Sequence, residues 1–288
     1  MPFSVAKGES IRTDFAAVVL ALTAGIAMPA HAADLPRVAS INLCTDQLLM
    51  TLADPDQILG LSPYSRDAVR SWAAGEAKKY PRLSGEAEDV LILKPDIVVA
   101  GRYTKRATRE LLKQQGLRVA EFDIAKSIDD VKGQMRRMGD LVGHPDRAEA
   151  QIARLDAAIV RAKQVVAKKP YRVLALSRRG WVSGDDSVTS ALLSITGLSN
   201  AASGLGVKHG GFAKLETIVA LKPDFILVST SSDVAEDEGR ALLLHPALEE
   251  LYPPSRRIVI PEDLTVCGGS MLPNALDRLV AELKRVGG

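Results

Sequence analysis

Short apolar runs alternate with stretches of helical spacing from residue 37 onward. Arg37 to Asn42 and Gln57 to Leu61 read as strands, with a helix from Asp46 to Ala53 between them. Glu86 to Leu93 reads as a helix that stops before Pro95, since a residue preceding proline disfavours the helical region. Asp96 to Ala100 is an apolar strand, Thr104 to Gln115 a helix ended by Gly116, and Leu117 to Phe122 the next strand. Strands alternating with helices of this length predict a parallel sheet with helical crossovers.

The alternation then breaks. Ser127 to Val142 has helical spacing, with Ser127 and Asp130 placed as a capping box. Gly143-His144-Pro145 interrupts it, and Asp146 to Lys168 continues with Ile152, Leu155, Ile159 and Val166 on one face. A helix of about 22 residues spans about 33 Å, more than one lobe needs, and suits a rigid connector. Alternation resumes with strands at Tyr171 to Leu176, Phe225 to Val228 and Arg257 to Ile260. Helices are expected at Val188 to Ile195, Leu215 to Leu221, His245 to Leu251 and Met271 to Val286.

The two halves also share wording. Glu88-Asp-Val-Leu-Ile-Leu-Lys-Pro-Asp96 and Glu216-Thr-Ile-Val-Ala-Leu-Lys-Pro-Asp224 match at a constant offset of 128 residues. A repeat that long means two similar lobes and not a solenoid, whose periods run about 20–50 residues. The expected fold is therefore α/β, with two similar lobes of mainly parallel sheet joined by one long helix. The divisions are an N-terminal lobe at 33–142, a connecting helix at 143–169 and a C-terminal lobe at 170–288. Small ligands favour the cleft between such lobes.

Composition narrows the function. The net charge is +2 with no block of like charge, which argues against nucleic acid as a partner. Lys7 and Arg12 precede an apolar run from Phe15 to Met28, and Ala30-His31-Ala32 makes a small-x-small cleavage site. Residues 1–32 are thus expected to be a signal peptide, cleaved near Ala32. The run is shorter than the roughly 20 residues of a membrane span. The mature chain is expected in an oxidising compartment such as the periplasm.

Beyond the repeat, Ser40-Ile-Asn-Leu-Cys-Thr-Asp-Gln-Leu-Leu49 opens the mature chain and Thr265-Val-Cys-Gly-Gly269 closes it. With these motifs, residues 37–288 resemble the periplasmic substrate-binding proteins of iron-siderophore and cobalamin ABC importers. The resemblance implies two α/β lobes, a long connecting helix, little closure on ligand, and a monomer that delivers cargo to a permease dimer in the inner membrane. It further implies that Glu88 and Glu216, one per lobe, dock into arginine pockets of that permease. Carboxylate–guanidinium pairs are strong and directional. Each glutamate alone is better explained as an acidic residue favoured at a helix N-terminus, and it is the matched pair, one per lobe, that favours docking on a two-fold partner.

In α/β sheets ligands sit beyond the carboxyl ends of strands. Candidate ligand-binding residues are therefore Asn42, Cys44 and Thr45, then Tyr64 and Arg66, then Arg102 and Tyr103, and in the second lobe Trp181 and Cys267. His209, in the glycine-rich loop from Gly204 to Phe212, joins them as a residue placed to face a ligand. Arginine and tyrosine suit an anionic, oxygen-rich chelate. A ferric siderophore is thus favoured over cobalamin or haem, which want more flat apolar surface. No covalently bound cofactor is expected. Cys44 and Cys267 are the only cysteines, and a disulfide, packed thiols and ligand or metal contact all remain open.

Other classes fit poorly. Without His31 the chain keeps His144, His209 and His245, too scattered for a histidine-rich zinc or manganese site. There is no G-x-S-x-G elbow, P-loop or H-E-x-x-H, so no enzyme is expected.

Overall fold

The structure, a computed structural model, describes residues 1–4, 8, 35–165, 169–229 and 241–287. The apolar run and cleavage site of the expected signal peptide lie outside these residues, as do Val166, Thr230 and Ser231. Residues 35–288 form one contact unit, distinct from 1–34.

Each half of that unit builds a four-stranded parallel sheet. The first contains β1 (Val38–Ser40), β2 (Ile58–Gly60), β3 (Ile97–Gly101) and β4 (Arg118–Phe122), in the order β2-β1-β3-β4. A two-stranded ribbon of β6 (Trp181–Val182) and β8 (Gly211–Phe212) interrupts the second half. Its main sheet contains β5 (Arg172–Ala175), β7 (Ser199–Asn200), β9 (Phe225–Val228) and β10 (Arg257–Val259). Read from β7, the order β7-β5-β9-β10 copies the first sheet. The sequence repeat is therefore a repeat of topology, with β3 and β9 in equivalent places. The short strands β6, β7 and β8 carry no periodic signal and were not expected.

The repeat's Leu-Lys-Pro-Asp works identically in both halves. Helices α2 (Ala87–Leu93) and α7 (Leu215–Leu221) end on Lys94 and Lys222, both left-handed, with φ of 47° and 48°. Proline then prevents further helix, and the aspartate starts the strand.

Helices α1 (Leu43–Leu52) and α3 (Arg106–Gln114) belong to the first half, and α6 (Val188–Ile195) to the second. Between the sheets lie α4 (Ile128–Val142) and α5 (Pro145–Lys163), joined where Gly143 turns at φ 78°. Nineteen residues make α5 about 28 Å long. It packs on α4 on one side and on the C-terminal helix Leu272–Val286 on the other. One apolar core consequently runs from Val38 and Val99 through Leu48, Met135 and Leu155 to Val173, Ile258 and Leu279. The outer faces of the two sheets carry smaller cores, around Val98 and Leu112 and around Ile226 and Leu248.

Edge strands facing this spine are covered by side chains. Arg137 and Gln134 of α4 donate to the carbonyls of Glu121 and Asp123 at 2.6 and 2.7 Å. Along β10, Arg278 donates to Val259 O, and Glu282 accepts the Val259 N–H, both at 2.9 Å. Such partners block edge-to-edge pairing.

Candidate ligand-binding cleft

The carboxyl ends of β1, β3 and β4 face those of β5, β9 and β10 across a cleft of about 560 Å³. Eight of the ten predicted ligand residues line it: Asn42, Cys44, Thr45, Arg102, Tyr103, Trp181, His209 and Cys267. Tyr64 and Arg66 do not. They follow β2, the edge strand furthest from β4, whose loop folds back along its own lobe. There Arg66 donates to the Tyr80 carbonyl at 2.7 Å, and the Arg70 guanidinium lies 5.2 Å from the Tyr64 ring centre.

Several of the eight are occupied by the fold. The Asn42 side chain caps α1, accepting from the N–H groups of Cys44 and Thr45 at 3.0 and 3.4 Å. Thr45 is buried, its hydroxyl 2.8 Å from that of Ser40. Cys44 and Cys267 form a disulfide, with Cα atoms 5.4 Å apart. That removes both as thiol ligands and leaves their bridge as part of the cleft floor. The neighbouring Asp46 is wholly buried, accepting from Ser62 N and Ser62 Oγ at 3.0 and 2.5 Å. Burial raises its carboxyl to about 7, although the Ser40 and Ser62 hydrogen bonds oppose the rise.

Charge in the cleft is largely paired. Arg102 Nη1 lies 2.9 Å from Asp123 Oδ1, and this hydrogen bond holds the guanidinium still more firmly protonated. His209 Nδ1 lies 3.1 Å from Asp186 Oδ2, and Lys126 of the first lobe reaches the same oxygen at 3.9 Å. Glu262 adds another carboxylate to the lining. Among the described residues, the arginine-rich surface expected from the sequence thus reduces to one guanidinium beside its own counter-ion.

The apolar lining is more extensive than expected. Tyr103 is 77% exposed and Ile124 65%, both on the first lobe. Trp181 and Val266 face them from the second lobe, 39% and 41% exposed. Trp181 is held edge-on to Phe212, with ring centres 5.1 Å apart, by the β6–β8 ribbon. Asp123 and Ile124 follow β4 directly, so the strand-end rule that found the other candidates also reaches them. Val266 adjoins the candidate Cys267, but an aliphatic side chain carries no sign of ligand chemistry, whereas Asp186 follows an irregular segment that leaves no strand-end signal.

Glu88 and Glu216 are both exposed in the first turn of their short helices. His144 lies at the α4–α5 corner, 3.0 Å from Asp54, and His245 caps the helix Pro246–Leu251. Among the described residues no group of three or more His, Cys, Asp or Glu is placed to hold a metal ion.

A family model described as a periplasmic binding protein matches residues 38–252. This chain belongs to that family. It is a family of substrate-binding proteins, not of enzymes. Two similar curated proteins are a "Cobalamin-binding protein" of Halobacterium salinarum and a "Vitamin B12-binding protein" of Pectobacterium atrosepticum. The first is 26% identical over 212 residues, covering 72% of this chain and 57% of that protein. The second is 25% identical over 219 residues, covering 66% and 76%. The chain therefore spans little more than half the length of the Halobacterium relative. Among solved structures, the periplasmic heme-binding protein RhuT from Roseiflexus sp. RS-1 superposes with a TM-score of 0.70. It is 22% identical, covering 88% of this chain and 100% of that one, and shares the two-lobed fold.

Proposed function

We propose that this chain is the solute-binding component of an ABC importer, working in the periplasm as a monomer, and that its cleft takes a corrinoid such as cobalamin. The observation that carries the ligand class is the pair of exposed apolar walls, Tyr103 with Ile124 on one lobe and Trp181 with Val266 on the other. A large, flat, nearly neutral macrocycle covers such walls, and aromatic side chains supply most of the contact area. The names of the curated relatives point the same way. The siderophore preference loses its support, since Arg66 lies away from the cleft and Arg102 is matched by Asp123.

Haem is the second reading. Tyr103 and His209 both line the cleft and are residue types that hold haem iron. The Asp186 carboxylate at His209 Nδ1 would leave Nε2 facing a metal. In either case Glu88 and Glu216 dock on the two halves of a permease dimer, and the lobes divide at 33–142 and 170–288 around the connecting segment 143–169.

Titration of the purified chain with cyanocobalamin, haemin and a panel of ferric siderophores, read by quenching of tryptophan fluorescence, tests this. Saturable binding of cyanocobalamin at micromolar concentration or below is expected. Binding of haemin or a siderophore with none of cyanocobalamin would overturn the corrinoid assignment.

A further inference from the structure

The lobes are joined at a second place, in front of the helical spine. After β10 the chain does not turn straight into the C-terminal helix. Residues 260–271 first cross to the other lobe. Cys267 is bonded to Cys44 in the first turn of α1, 223 residues away in sequence. Ser270 Oγ lies 2.8 Å from Thr51 Oγ1 on the same helix. Gly268 passes so tightly between α4 and α6 that a Cβ there would lie 2.7 Å from Val131 and 3.5 Å from Val188.

We propose that the Cys44–Cys267 bridge is a redox-controlled strap that sets the opening of the cleft. The spine of α4, α5 and the C-terminal helix fixes the lobes at the back, and rotation about that spine opens or closes the front. The strap sits at the cleft floor, so the two attachments together oppose a rotation that the spine alone permits. Besides the disulfide, one hydroxyl–hydroxyl hydrogen bond, the Gly268 packing and the burial of Met271 in the shared core hold the strap to the first lobe, and the disulfide is the one attachment that a reductant releases. A dithiol reductant would transfer two electrons and two protons to the bridge, leaving two thiols and becoming a disulfide itself.

Both cysteines line the cleft, Cys267 buried and Cys44 partly exposed, so the bridge is reached from the Cys44 side and an occupant seated on the cleft floor covers it. Ligand and oxidation state are then linked. A ligand that prefers the strapped cleft makes the bridge harder to reduce, and reduction weakens that ligand by the same factor. This ligand arm rests on the corrinoid reading, whereas the strap itself does not.

The test compares the ligand-free chain oxidised, reduced with dithiothreitol in native buffer, and as the Cys44→Ser, Cys267→Ser double variant. Amide hydrogen exchange and small-angle scattering are the readouts. Exchange in 261–271 and the first turn of α1 is expected to quicken about tenfold or more, with a larger radius of gyration and β3 and β9 still protected. Unchanged exchange and radius in the reduced chain would overturn the strap. Equal loss of protection in β3 and β9 would also overturn it, by making the bridge a general stabiliser of the fold. In the ligand arm, cyanocobalamin is expected to slow reduction and to bind the reduced chain about tenfold more weakly. If cyanocobalamin fails to bind the oxidised chain while 261–271 still loosens on reduction, the strap stands and the corrinoid reading falls.

Discussion

Asp96 and Asp224, 128 residues apart, hold the two sheets in the same way. The Asp96 carboxylate accepts the backbone N–H of Arg37 at 2.7 Å, while its own N–H donates to the Arg37 carbonyl at 2.9 Å. Asp224 repeats both bonds with Arg172, each at 2.8 Å. Each aspartate thereby registers the repeat strand against the first strand of its lobe. Asp96→Ala and Asp224→Ala are each expected to cost about 1 kcal/mol, the scale of an exposed hydrogen bond. Lying in different lobes, they should add in the double variant. Urea denaturation measures all three, and ligand affinity should not move.

The buried Asp46 makes stability depend on pH. Its carboxyl is raised to about 7 in the folded chain, against about 3.9 in an unfolded one. Between those values the folded chain holds a proton that the unfolded chain has released. Stability therefore falls as the pH rises from about 4 to about 7 and levels off above that. Asp46→Asn, which stays neutral, should lose this slope. Its stability relative to the parent chain should rise by on the order of a few kcal/mol between pH 4 and pH 8. Thermal melts across that range would refute the assignment if the two chains kept parallel profiles.

The apolar walls make a prediction about the ligand. Trp181→Ala and Tyr103→Ala should each weaken cyanocobalamin by about tenfold or more, the scale of losing a large aromatic contact. Arg102→Ala should change it little, because Asp123 already neutralises the guanidinium. For haemin the order would shift, with Tyr103→Ala and His209→Ala most damaging and a changed Soret band. Titration of the four variants against both ligands separates the two readings.

Docking should be independent of ligand capture. Glu88 and Glu216 lie on helices at the outer faces of the lobes, and neither lines the cleft. The variant carrying Glu88→Ala and Glu216→Ala is expected to bind ligand as tightly as the parent chain but to abolish uptake in cells. Normal uptake by that variant would remove these residues from the permease interface.

Much of this architecture was legible in the chain itself, for a local reason. Helix stops at Lys94-Pro95 and Lys222-Pro223, the capping box of Ser127 and Asp130, and the apolar runs of β3 and β9 act through neighbouring residues, so composition and spacing reveal them. The repeat carried the rest, since equal wording at equal offset means equal topology. Position relative to the cleft was legible only in part. Asn42, Arg102 and Tyr103 follow strands whose ends face the other lobe, whereas Tyr64 and Arg66 follow an edge strand whose loop turns away. Strand order decides between these, and order is a matter of long-range pairing.

By itself, then, the sequence determined two α/β lobes, a helical connection, and a pair of cysteines, one in each half of the chain. Only the tertiary structure decided that Cys44 and Cys267 meet, that Arg102 is neutralised by Asp123, and that Tyr103, Ile124, Trp181 and Val266 share one cleft. Each of these joins residues far apart in the chain. The Arg102–Asp123 pair depends on β3 and β4 lying side by side in one sheet, whereas the disulfide and the shared cleft depend on how the two sheets dock, and no local pattern of residues records that angle.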